Sequence, residues 1–177
     1  MRAADVLSAL GLAARSLLWT VLLPGLFAGY LPWRYFGLRD VVLDPGRPLH
    51  WLGLLGMAVG SVLLAVCILE FARSGRGTLS PVDPPRTLVV RGPYRYVRNP
   101  MYLGVTLIVL GEALLTNSRG LVTYWVIWFA AVNLFVMGYE EPALRRQFGA
   151  GYERYAAAVG RWVPRLRPWR DGDSFHR

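Results

Sequence analysis

Lysine is absent from this 177-residue chain, so all 20 basic residues are arginine, and they face only 11 carboxylates for a formal charge of +9. No lysine means no phosphate loop of the GxxxxGK type. Cys67 is the one cysteine and His50 and His176 the two histidines, which excludes an internal disulfide and argues against a zinc cluster. GxGxxG after a strand, GxSxG and HExxH are all missing too. What the chain has in excess is apolar surface, 54% hydrophobic and 13% aromatic, too much for a soluble domain of this size. The arginines punctuate apolar runs instead of forming a polar face, a pattern that suits anionic lipid and not nucleic acid.

At about 20 apolar residues per crossing, the sequence predicts an all-α polytopic integral membrane protein, a single domain over 1–177 with about four transmembrane helices and a C-terminal amphipathic helix. The expected spans are 16–33, 49–72, 101–118 and 121–139. Pro24 and Gly25 should kink the first, Gly25 with Gly29 offers it a small-residue face, and Gly56 with Gly60 forms a GxxxG pair in the second. Residues 73–100 carry six arginines against Asp83 and four internal prolines before Pro100, so they read as a long functional loop. The turn at 117–120 makes spans three and four an antiparallel hairpin. Glu112, close to that turn, reads as an interfacial, water-reaching carboxylate, and Asn133 as an interhelical hydrogen-bond donor.

Residues 140–168 are polar and basic with an apolar stripe at helical spacing, Leu144, Phe148, Tyr152, Tyr155 and Val159. An amphipathic surface helix is expected there, broken at Gly149 and Gly151, followed by a disordered tail at 169–177. Four spans put sixteen arginines on one side of the membrane and four on the other. That bias predicts a cytoplasmic loop with both termini cytoplasmic, and the all-arginine basic set together with the small size points to a bacterial plasma membrane as the location.

Two constellations remain. One is 91–104, Arg-Gly-Pro-Tyr-Arg-Tyr-Val-Arg-Asn-Pro-Met-Tyr-Leu-Gly, running into span three; the other begins with Glu140-Glu141 and continues to Arg161 and Pro164 after span four. The hairpin should bring them together. Gly92, Tyr94, Arg98, Pro100, Tyr102, Gly104, Glu140, Glu141, Leu144, Phe148, Gly149, Tyr152, Tyr155, Arg161 and Pro164 stand at fixed spacing. In this pattern the C-terminal half resembles the isoprenylcysteine carboxyl methyltransferase family and the related membrane phospholipid methyltransferases. Asn99 departs from it, standing where the carboxyl methyltransferases commonly have His; Asn is no acid or base near neutral pH.

The resemblance implies methyl transfer from S-adenosylmethionine to a lipid-like acceptor drawn from the bilayer, with no metal. An isoprenylcysteine-like carboxylate is the first expected acceptor and a phospholipid ethanolamine headgroup the alternative. A sterol-type NADPH reductase and a non-catalytic assembly factor remain as rivals. Gly92, Pro93, Tyr94, Arg98, Asn99, Pro100, Tyr102, Gly104 and Glu140 are the expected cofactor-binding residues, though Gly104 also suits helix packing. Arg98 and Asn99 would hold the cofactor's carboxylate, and Arg91 and Arg95 would meet lipid headgroups. Glu141 and Arg145, spaced i, i+4, are the expected catalytic pair, with a helix-stabilising ion pair as the plainer reading. Tyr152 and Tyr155 suit core packing and pocket lining equally. The oligomeric state is not legible.

Overall fold

A computed structural model describes residues 22–74 and 88–170, and within them every regular element is helical. A π-helical turn, Leu26–Tyr30, leads into the short helix α1, Leu31–Tyr35, which ends at Phe36 and Gly37. Only the end of the expected first span is therefore visible; 16–21 lie outside the described residues, as do 75–87 and 171–177. Among the described residues nothing lies within 4 Å of where a Cβ on Gly25 or Gly29 would stand.

Helix α2, Pro48–Ser74, and α3, Pro100–Thr116, form the central pair. Their contact is glycine on glycine. A Cβ on Gly60 would lie 2.6 Å from the Gly104 carbonyl oxygen, and one on Gly53 would lie 2.6 Å from that of Gly111. In lipid the apolar effect does not drive helices together, so this backbone approach, with its dispersion contacts, is what holds the pair. The GxxxG reading of Gly56 and Gly60 thus holds, and Gly104 is committed to the same seam.

Asn117, in the left-handed conformation at φ 49°, ends α3, and Ser118 begins α4, Arg119–Phe135, its Oγ accepting from the Leu121 N–H. The expected hairpin results. Trp125 Nε1 ties it by donating to the Thr106 carbonyl at 3.1 Å. Instead of stopping near 139, α4 passes through a π-turn, Val136–Glu140, directly into α5, Glu141–Phe148. Gly149, at φ 50°, then breaks the rod before α6, Ala150–Ala158; Gly151 lies inside α6 and breaks nothing. Among the described residues two helical stretches, Pro48–Glu70 and Arg119–Phe148, are long and apolar enough to cross a membrane, and α3 is a shorter apolar helix of 17 residues. The chain is a helical membrane protein.

Three expectations about side chains are corrected here. Glu112 is buried, not water-reaching, with Oε2 lacking any hydrogen-bond partner, because the α3 turn that carries it packs inward beside Gly111 and Ala113. The apolar stripe of 140–168 does not lie on the surface. Tyr152, Tyr155 and Val159 form a buried cluster with Leu144, Phe148, Leu88, Val90 and Trp169. Trp169 consequently belongs to the fold and not to a disordered tail: its N–H donates to the Arg95 carbonyl at 2.9 Å.

Candidate functional site

The 91–100 loop is shaped before it meets anything else. Gly92 sits at φ 51°, a conformation L side chains resist, and a Cβ there would stand 2.9 Å from Glu70 Cγ at the end of α2. Pro93 starts a 3₁₀ turn, Gly92–Arg95, and Pro100 opens α3, where a missing N–H costs nothing.

The C-terminal segment then lies along this loop as a strap. Arg98 N–H donates to Gly160 O, Arg165 N–H to Tyr96 O and Trp169 N–H to Arg95 O, each at 2.9 Å. Asn99 Nδ2 donates to Arg161 O at 3.2 Å, and Tyr155 Oη to Tyr94 O at 2.6 Å. Arg95 Nε donates to Trp169 O at 2.8 Å, so Arg95 braces the strap; Arg91 is exposed. Trp162 Nε1 donates to Asn133 Oδ1 at 2.9 Å, which makes Asn133 an acceptor for the strap and not a donor between spans.

Glu141 is the electrostatic centre of this junction. Its side chain is 5% exposed, and Arg161 grips it in a forked pair, Nε to Oε1 at 2.6 Å and Nη2 to Oε2 at 3.0 Å. Arg98 Nη1 adds a contact to Oε1 at 3.1 Å and also donates to Tyr152 Oη at 3.3 Å. Arg145 stands farther off, 4.0 Å from Oε2, with its Nε 3.1 Å from Glu153 and its side chain 48% exposed. Arg98 Nε is buried with no hydrogen-bond partner among the described residues. One turn away Tyr102 Oη donates to Glu140 Oε2 at 3.1 Å, and the Tyr94 hydroxyl lies in the field of Glu140, Tyr102 and Cys67.

The charges and burial set the protonation states outside the membrane spans. Burial pushes the hydroxyls of Tyr94 and Tyr155 above the usual tyrosine value, so both stay neutral donors. Tyr152 is also raised by burial, with Arg98 opposing. The hydrogen bond to Glu141 raises Arg161 above its ordinary value, fixing it as a cation.

The arrangement brings together most of the residues singled out from the sequence: Gly92, Pro93, Tyr94, Arg98, Asn99, Pro100, Tyr102, Glu140, Glu141 and Arg145 meet where the loop into α3 faces the end of α4. Gly104 stands apart in the α2–α3 seam. Cys67 and Glu70, Asn133 and Trp162 complete the junction unanticipated. A lone charge ending an apolar run was the signal available for Glu70; nothing in local pattern marks Asn133 as the strap's anchor.

A family model described as phospholipid methyltransferase matches residues 48–151, from α2 through the loop to the start of α6. The chain belongs to the isoprenylcysteine carboxyl methyltransferase and phospholipid methyltransferase family. Protein-S-isoprenylcysteine O-methyltransferase A of Arabidopsis thaliana is 31% identical over 135 residues, covering 72% of this chain and 67% of that one. Protein-S-isoprenylcysteine O-methyltransferase B of the same plant is 29% identical with the same coverage. The cobalt-zinc-cadmium resistance protein CzcN of Cupriavidus metallidurans is 28% identical over 155 residues, 88% of this chain and 63% of that one. No solved structure matches. The matched region in this methyltransferase-family chain contains Gly92 to Gly104 and Glu140 to Arg145, while the other half of the junction, Tyr152, Tyr155, Arg161 and Trp162, lies beyond it.

Proposed function

We propose that the protein transfers a methyl group from S-adenosylmethionine to a lipid-like acceptor at this junction, and that the acceptor is an ionised carboxylate of the isoprenylcysteine type. The observation that carries the reading is the meeting of the loop entering α3 with the segment leaving α4, through Tyr102 on Glu140 and through Arg98 and Arg161 on Glu141. The orientation follows the arginine bias: the loop and both termini on the cytoplasmic side of a four-span protein in a bacterial plasma membrane.

The residues present suit the methyl donor. Arg98 has a buried N–H, Nε, that no group among the described residues accepts from, as a site for a carboxylate requires. Glu140, accepting from the Tyr102 hydroxyl, presents a carboxylate to an ammonium group. Tyr94 offers an aromatic face for the adenosine. When bound, S-adenosylmethionine supplies an electrophilic methyl carbon on sulfonium. Glu141, with both oxygens engaged by arginines, acts as a positioning residue that holds Arg98 and Arg161, and half-exposed Arg145 is left to orient an acidic acceptor by paired hydrogen bonds.

In-line displacement asks the protein for alignment and exclusion of water more than for a nucleophile of its own. A carboxylate acceptor arrives ionised and needs no base. That matches a site with Asn99 where a base would stand, and with His50 far away at the first turn of α2, its Nδ1 accepting from the Asp44 N–H. The name of the matching family gives weight to a second acceptor, a phospholipid ethanolamine headgroup, which would have to lose a proton first.

Two measurements test this. S-adenosylhomocysteine should raise the melting temperature of the purified protein while NADPH leaves it unchanged; the reverse would make it a reductase, and no response to either a non-catalytic protein. Methyl-labelled donor with membrane extract should then give a base-labile ester; a base-stable N-methyl amine overturns the carboxylate acceptor in favour of the ethanolamine one.

A further inference from the structure

The strap that closes the site also carries the most exposed apolar side chain among the described residues. Leu166 is 99% exposed and Val163 76%. Neither packs on the cluster around Trp169, and a leucine wholly in water on a segment otherwise tied down by backbone hydrogen bonds calls for an occupant.

The neighbours say where this surface lies. Trp162, between these residues and Arg161, is anchored to α4 by its bond to Asn133 and a ring contact with Phe129, centroids 5.2 Å apart. Asn133 and Phe129 belong to the long apolar stretch Arg119–Phe148 and precede Glu140 by 7 and 11 residues, about 10 and 16 Å along the helix. The strap therefore runs beside a membrane-spanning helix and not away from it, and the same part of α4 exposes Leu134 and Met137. Arg167, next to Leu166, is exposed and forms no ion pair among the described residues, whereas Arg165 is partly buried with its Nη1 enclosed. Exposed apolar side chains next to an exposed, unpaired arginine beside a spanning helix match the boundary between headgroups and acyl chains.

We propose that residues 161–167 dock on an anionic lipid leaflet, Val163 and Leu166 entering the acyl region while Arg167 meets the headgroup phosphates. Because Arg161 begins this segment and grips Glu141, docking braces the same junction from the lipid side; the surface itself is independent of which acceptor is methylated.

The test places an environment-sensitive nitrobenzoxadiazole label on Leu166→Cys. Position 166 is fully exposed, so the change leaves packing intact, and Cys67, wholly buried, stays unlabelled. The protein is reconstituted in phosphatidylcholine vesicles with and without phosphatidylglycerol, and the label is quenched by lipids brominated along the acyl chain. We expect blue-shifted, quenchable emission that depends on phosphatidylglycerol. Arg167→Glu should raise the anionic-lipid fraction for half-maximal quenching by about fivefold or more, fivefold being the worth of one arginine near such a surface. Water-like emission in both vesicle types overturns the proposal, and so does quenching that ignores both phosphatidylglycerol and Arg167→Glu. No methyl transfer enters the readout, so a failed acceptor assignment and a failed docking surface are told apart.

Discussion

Replacing Glu141 by glutamine keeps the volume of the side chain and removes its charge, which isolates the electrostatic role of the junction. Arg98, 11% exposed, would be left with a cation facing a neutral amide, and Arg161, 29% exposed, would lose both arms of its fork. Breaking a buried pair from one side costs about 3–5 kcal/mol, against about 0–1 kcal/mol for an exposed pair. The strap is held to the loop by this cluster and a few hydrogen bonds, so the loss should appear as local release of 160–169 and not as melting of the α2–α3 pair. A double-mutant cycle of Glu141→Gln with Arg161→Met apportions the fork. With two charge-assisted bonds broken while Arg98 remains, the coupling energy should be about 2–3 kcal/mol. Thermal unfolding in detergent would be followed together with trypsin cleavage at the strap arginines. Cleavage should accelerate in both single variants and little further in the double. A coupling below about 0.5 kcal/mol, the level of a solvated pair, would refute the claim that Glu141 holds the strap.

Arg145→Ala provides the contrast: at 48% exposed and 4.0 Å from Glu141, its loss should leave the melting temperature nearly unchanged while turnover falls at least tenfold, and normal turnover would remove Arg145 from the site. Gly60→Val forces a branched side chain onto the Gly104 carbonyl and should destabilise the α2–α3 pair by about 1–3 kcal/mol or more, seen as a lower detergent melting temperature; an unchanged value would mean the helices do not touch there. The raised hydroxyls of Tyr94, Tyr152 and Tyr155 give a pH signature. Unfolded tyrosines ionise near 10 while the folded ones hold their protons, so stability is fully present below that pH and is lost as pH rises through the folded values. Tyr155→Phe should flatten the alkaline fall in a pH-resolved melt, and an unaltered slope would count against its burial.

The helices were legible in the pattern of residues because lipid leaves few options: an uncharged run of some twenty residues must satisfy its backbone internally, and the short polar turn at 117–120 forces an antiparallel hairpin. Gly56 and Gly60 at a spacing of four predicted close packing on chemistry alone. The motif residues Tyr94, Arg98, Tyr102, Glu140 and Glu141 could be gathered too, since a hairpin brings the start of one helix to the end of the next. Contacts that depend on direction could not be read this way. Glu112 lies near a turn, where a carboxylate ordinarily finds water, yet rotation of α3 about the glycine seam carries it inside. Leu144, Phe148, Tyr152 and Tyr155 have the periodicity of any half-buried face, which says that something covers them but not whether it is lipid or protein; the loop and Trp169 do so here. Glu141 and Arg145 are four apart and suggested each other, whereas the short fork belongs to Arg161, 20 residues on. Local spacing encodes which faces are apolar, because that is a property of the helix alone; which partner meets each face is fixed by how distant segments fold back, and no window of the chain contains that.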